Sequence, residues 1–190
     1  DLLTTMALDA SQAATLEDLI ETVEAMVTIA SDLPEKSELV DAFTVWIKDG
    51  DAKAWRILSG RGISAKTITS FTQPVLHEVT AGKGIVANLD VSGQQQIVIA
   101  SNAGAHDWHA ADPYTVRKTE GLAAVLLLDK HGKPCGALCL TSEDPRGIPS
   151  VESTVELQRF EKVLQLWAGT FTLPVQRYFE LIDSAPEKDS

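Results

Sequence analysis

The spacing of apolar positions changes several times along the chain, and each change predicts an element. From Thr15 to Leu33 the residues Leu16, Leu19, Ile20, Val23, Met26, Val27 and Ala30 recur at three- and four-residue steps, the spacing of an amphipathic helix. Thr15 followed by Asp18 has the form of a capping box, and Pro34 closes the segment. Leu2, Leu3, Met6 and Leu8 predict a lead-in helix or linker over residues 1–14. Over residues 40–60 the period falls to two. Phe43, Val45 and Ile47 alternate with Ala42, Thr44 and Trp46, Asp49-Gly50-Asp51 turns the chain, and Trp55, Ile57 and Leu58 run back as the second strand of a hairpin.

From Ser64 the pattern predicts a helix with a serine N-cap, kinked near Pro74 and ended by Gly82. A short strand is expected over residues 84–91, GIVANLDV. Residues 92–120 are the least regular part and are read as a loop with one or two short helices over the sheet, with Ile97-Val98-Ile99 reaching the core. A second hairpin follows, GLAAVLLLD and PCGALCLTS around a turn at Lys130-His131-Gly132-Lys133. Residues 150–182 predict a long helix with Val151, Val155, Phe160, Val163, Leu164, Trp167 and Phe171 on one face and Pro174 allowing a kink. Residues 183–190 form a polar tail. Antiparallel strands between terminal helices imply an α+β layered fold, because each helix has an apolar stripe to bury on the sheet.

The 190 residues suit one domain with an ordinary core: 44% are apolar and 23% charged. The net charge of −11 is uneven. Residues 1–41 hold ten acids and one lysine, residues 42–142 eight acids and ten bases, and residues 143–190 nine acids and five bases. Nucleic acid is bound mainly through lysine and arginine, so this balance excludes it as a general partner while allowing a small anionic ligand in the middle of the chain. The sequence shows neither a membrane-spanning apolar run nor a secretory layout, so a cytoplasmic protein without membrane insertion is expected. The chain opens on Asp1 rather than Met, as expected of an excised or processed piece.

The order of elements and four stretches resemble a GAF domain, a small-molecule sensor module of signalling proteins. The stretches are VDAFTVWIKDGDAKAWRIL, ITSFTQPVLHEVTAGKGIVANLDV ending at Asp90, GLAAVLLLD, and GKPCGALCLTSED before the last helix. The resemblance spans roughly residues 15–170, within a single domain over residues 15–182. It implies the PAS/GAF superfold: an antiparallel sheet of five or six strands, with the N- and C-terminal helices packed on one face and often forming a dimer bundle. Ligand-pocket loops, here residues 64–76 and 92–116, would cover the other face. The chain lacks the Asn-Lys-Phe-Asp-Glu run of cyclic-nucleotide-binding members, and residues 92–120 lack the attachment cysteine of bilin-binding members. The resemblance therefore does not carry those two ligand classes over, and the sequence names no cofactor.

Cys135 and Cys139, four apart on a predicted strand, are expected to point to the same face as Ala137. At strand rise their Cα atoms stand about 13 Å apart, beyond the roughly 7 Å limit for a disulfide, so both are read as core thiols. His106 and His109 in HDWH suit one helical face and zinc chemistry, but without a close Cys-x-x-Cys they are read as surface or pocket lining. GAF-like methionine-sulfoxide reductases use an attacking and a resolving thiol. Here the two cannot meet within the strand, and an enzyme is not expected.

The better candidate is a binding pocket. Trp55, Phe71, Trp108 and Tyr114 could wall it, and Arg56, Arg61, Asn88, Asp90, His109 and Arg117 could supply polar contacts. Further apolar residues on the terminal helices, Ile29 and Leu33 on one and Leu157, Leu166 and Leu173 on the other, predict a homodimer bundle. The expected function is a regulatory domain that binds an unidentified small molecule and passes the bound state to a partner or output domain. A ligand-free scaffold for dimerisation is the alternative.

Overall fold

The computed structural model describes residues 2–32, 39–49, 54–62, 89, 96–102, 119–150 and 152–184. Two helices open the chain: α1 (Leu2–Ser11) and α2 (Leu16–Asp32). The hairpin strands β1 (Ala42–Asp49) and β2 (Ala54–Arg61) follow, then β3 (Ile97–Ala100), the hairpin β4 (Gly121–Leu128) and β5 (Pro134–Ser142), and the 30-residue helix α3 (Thr154–Asp183). The described strands form one antiparallel sheet in the order β2-β1-β5-β4-β3. This is the α+β arrangement expected from the alternation of periods along the chain.

The predicted start of α2 is present in atomic detail. Thr15 Oγ1 accepts from the Asp18 amide at 3.1 Å and donates to its carboxylate at 2.7 Å, so the hydroxyl satisfies an amide that the first helical turn leaves without an intrahelical partner. The β4–β5 turn is likewise held by one side chain. Asp129 Oδ1 accepts from the amides of His131 and Lys133, both at 2.8 Å, and Gly132 takes the positive φ of 75° that closes the turn. His131 is exposed, as expected of a turn residue.

The three described helices α1, α2 and α3 share one core on one face of the sheet. Phe43, Val45, Ile47, Leu58, Ala123, Val125, Leu127, Leu138 and Leu140 meet Leu19, Val23, Met26 and Val27 of α2 and Leu164, Trp167, Phe171 and Val175 of α3. Phe43 joins the layers directly: its ring lies 5.4 Å from Trp167 and 5.8 Å from Phe171. Helix α1 lies against α2 and α3 and buries Leu3, Ala7 and Ala10 in the same core. Arg177 of α3 clamps the α1–α2 connection, donating from Nε and Nη2 to the Ala13 carbonyl at 2.9 and 2.8 Å.

The structure departs from the sequence reading at four places. Residues 97–100, expected within a loop, form the strand β3, paired to β4 from Ile97↔Val125 to Ala100↔Leu122. Leu89, the described residue of the stretch expected to be a strand over 84–91, has helical backbone and is fully buried. Val155, expected on the buried stripe of α3, is exposed, because the buried residues of that helix begin at Leu164. The fourth departure concerns the cysteines. The β4–β5 register slips between Leu127 and Leu128, so that Leu127 pairs with Gly136 and Leu128 with Pro134, leaving Cys135 as an extra residue. The two cysteines therefore face opposite sides of the sheet: Cys135 packs against the helix-side core and Cys139 belongs to the far side. The helix expected from Ser64 to Gly82 lies outside the described residues.

Candidate ligand-binding face

A second apolar cluster occupies the far face of the sheet. Trp55, Leu122, Ala124, Leu126, Ala137 and Cys139 form it, with Leu89 fully buried against them and Trp46, Val98 and Leu128 at its margin. The pattern of β4 explains the two faces. GLAAVLLL is apolar at nearly every position because alternate residues enter different cores.

The register sets the relief of this face. One row across the strands runs Gly60, Thr44, Cys139, Ala124, Val98, which are all short side chains or none. The next row sets Ala137 between Trp46 and Leu126. The polar atoms of these rows are satisfied internally: Trp46 Nε1 donates to Thr44 Oγ1 at 2.9 Å, and that hydroxyl donates to the Cys139 carbonyl at 3.2 Å. These rows form an apolar layer of methyl, thiol and indole groups in which Thr44, Ala124, Ala137 and Cys139 are all buried, the lining character of a small-molecule site. At its edge Lys48 Nζ lies 5.9 Å above the Trp55 ring.

Both thiols are held in the protonated form. Burial pushes Cys139 up to about 12, partly offset by the neighbouring Thr44 side chain. Cys135 rises to about 11, first through burial and then through the charge of Asp129, while its Sγ donates to the Leu127 carbonyl at 3.3 Å. A nucleophilic cysteine requires a lowered pKa, and both thiols are shifted the other way. Among the described residues no group of histidine, cysteine, aspartate or glutamate is arranged to hold a metal.

Of the sequence-predicted contacts, Trp55 lies on the far face. Arg61 does not. Its Nη1 donates to Ser31 Oγ at 2.7 Å and to Asp32 Oδ1 at 2.5 Å, which places the guanidinium at the end of α2 in the helix layer. Phe43, its partner across β1, faces that same layer, and strand parity accounts for the placement. Arg56 pairs with Ile47 and is half-buried. Phe71, Asn88, Asp90, Trp108, His109, Tyr114 and Arg117 lie outside the described residues, as does His106. Thr44, Trp46 and Ala124 were not singled out from the sequence. Their signal was present in the alternation of AFTVWI, whose second face carries Thr44 and Trp46.

Comparison with solved structures decides the fold. The GAF domain of an Acinetobacter phosphoenolpyruvate-protein phosphotransferase superposes with a TM-score of 0.63 at 13% identity, covering 95% of this chain and 94% of that one. The fold is that of a GAF domain. Two further GAF-like matches show how varied its settings are. Residues 122 to 287 of a methyl-accepting chemotaxis protein match with a TM-score of 0.61 at 12% identity, covering 95% of this chain and 99% of that one. A free methionine-R-sulfoxide reductase from Neisseria meningitidis, solved with its substrate, matches with a TM-score of 0.60 at 12% identity over 96% and 89%. No protein-family model matches the chain, and no curated protein matches its sequence. The GAF fold thus occurs in signalling proteins and in an enzyme, and the likeness to this chain is one of fold.

Proposed function

We propose that this GAF-fold chain is a regulatory domain that binds a small molecule over the far face of its sheet. On this reading it dimerises through its terminal helices and transmits the bound state to a partner or output domain. The observation that supports it best is the two-sided sheet. The helices cover one apolar face, and the other offers the row Thr44, Cys139, Ala124 beside Trp46 and Trp55. Strands β1, β4 and β5 contribute to both faces, so a ligand that repositions them changes the seat of α2 and α3. Transmission requires that the ligand bind one arrangement more tightly than the other. Phe71, Asn88, Asp90, Trp108, His109, Tyr114 and Arg117 are proposed as further ligand contacts, and the protein is proposed to act in the cytoplasm. No described helix is long and apolar enough to cross a membrane.

A reductase is the rival reading, since the fold is shared with enzymes acting on free methionine sulfoxide. The raised pKa values and opposite placement of the two thiols weigh against it.

The test is native mass spectrometry of the chain after incubation with a metabolite extract, beside the Ala124→Leu variant. Retention of a small molecule by the wild type and at least a tenfold loss in the variant are expected, because the added side chain fills the apolar layer. A chain that retains nothing, with unchanged tryptophan fluorescence, leaves the scaffold reading in its place. Reduction of free methionine sulfoxide that Cys139→Ala abolishes would establish the enzyme instead.

A further inference from the structure

Helix α3 carries a glycine for which the described residues give no use. Gly169 lies in mid-helix and is exposed, and a Cβ built on it would meet nothing within 4 Å. Alanine would fit there and would hold the helix better, because glycine brings backbone freedom that folding must remove. Close approach of another backbone is what a glycine at such a point permits. Leu166, 60% exposed, and the half-buried Leu173 flank it one turn away on either side.

We propose that a second copy of this chain occupies the face, its α3 crossing antiparallel to the first about a two-fold axis at Gly169. The inference rests on the dimerisation proposed above and adds its direction. The order of charges argues for both occupant and direction. Arg159 stands ten residues before Gly169 and Glu180 eleven after it, which at 1.5 Å per residue is about 15 and 16.5 Å from the crossing. An antiparallel copy therefore sets Glu180 opposite Arg159 twice, Leu166 opposite Leu173, and Lys162 opposite the uncharged Gln176. A parallel copy sets Arg159, Lys162 and Glu180 each against itself, three repulsions in place of two attractions.

The crossing angle follows from the same distances. At about 20° the axes diverge by only ~5 Å at the ion pairs, within reach of an arginine, whereas at about 50° they diverge by ~13 Å. The interface belongs to the shallow class. Glu180 is placed to take part: its side chain is 63% exposed, and Arg177 holds one carboxylate oxygen at 2.9 Å while a carboxylate accepts through two. Arg177 itself is turned toward Ala13 and does not oppose Lys162.

Sedimentation equilibrium on the chain and on Arg159→Glu, Glu180→Arg and the doubly exchanged protein tests this, with circular dichroism to verify folding. Each single exchange is expected to weaken the dimer about tenfold, and the double exchange to restore it to within about threefold. A dimer indifferent to the single exchanges, or not restored by the double, overturns the antiparallel crossing while dimerisation stands. A chain monomeric at every concentration overturns both. Should Glu180→Arg melt early through loss of its pair with Arg177, oxidative crosslinking decides. A mixture of Leu166→Cys and Leu173→Cys proteins is expected to give mainly the mixed dimer, and preferential like-with-like crosslinks would overturn the proposal.

Discussion

Cys139 is a thiol in a place made for a methyl group. It lies buried between Thr44 and Ala124 in adjacent strands, and burial holds its pKa near 12 against an ordinary 9.0. The sign of the consequence follows by linkage. A group whose pKa is higher when folded favours the native state fully below its unfolded pKa, and the advantage is lost as pH rises from 9 toward 12. At pH 10.5 the loss amounts to about 2 kcal/mol, at 1.36 kcal/mol per pH unit. Urea titrations at pH 7 and pH 10.5 are expected to show the stability gap between wild type and Cys139→Ala narrowing by that amount. A gap that stays constant would show that the thiol titrates normally. The same burial accounts for a sequence reading that succeeded: a cysteine among Ala137, Leu138 and Leu140 behaves as a small hydrophobe.

Helix α2 shows how much of an element the sequence can state by itself. Its apolar stripe, its N-cap and its stop all stand in residues 15–34, and the structure agrees at Thr15, Leu19, Val23 and Met26. Replacing Thr15 with alanine is expected to cost about 1 kcal/mol in thermal denaturation, the usual effect of losing an N-cap. A loss below 0.3 kcal/mol would mean that α2 is held by packing alone. The β1–β2 and β4–β5 hairpins were legible for the same reason, since period-two alternation and the Asp129–Gly132 turn are local signals. What was not legible depended on a partner distant in sequence. The strand at Ile97–Ala100 has four residues and pairs with β4 across more than twenty intervening positions. Leu89 fills the far face irrespective of the strand propensity of its neighbours. The exposure of Val155 likewise depends on where along α3 the core begins.

At the scale of the molecule the sheet is a partition between two apolar compartments, and strand parity assigns each residue to one of them. That assignment explains why Arg61, proposed from sequence as a ligand contact, is engaged with Ser31 and Asp32 in the helix layer instead. The candidate face was legible in outline, because AFTVWI and GLAAVLLL are apolar on both sides. Its apolar layer required the pairing of Thr44, Cys139 and Ala124 from three strands. The irregularity at Cys135 gives this partition a place where chain length can vary. Beyond it toward Ser142, removal of one residue, such as Leu138, exchanges the two compartments for the part of β5 on one side of the deletion. Removal of Cys135 itself takes out the residue that the β4–β5 register already leaves over and returns the strand to simple alternation. Thermal melts of the two single-residue deletions should therefore differ widely, with the Leu138 deletion unfolded at 25 °C and the Cys135 deletion retaining a cooperative transition. Equal damage from both would show that the extra residue is required by the fold. A chain tolerant at that one point could lengthen or shorten its central hairpin without disturbing either the helices or the face that we assign to the ligand.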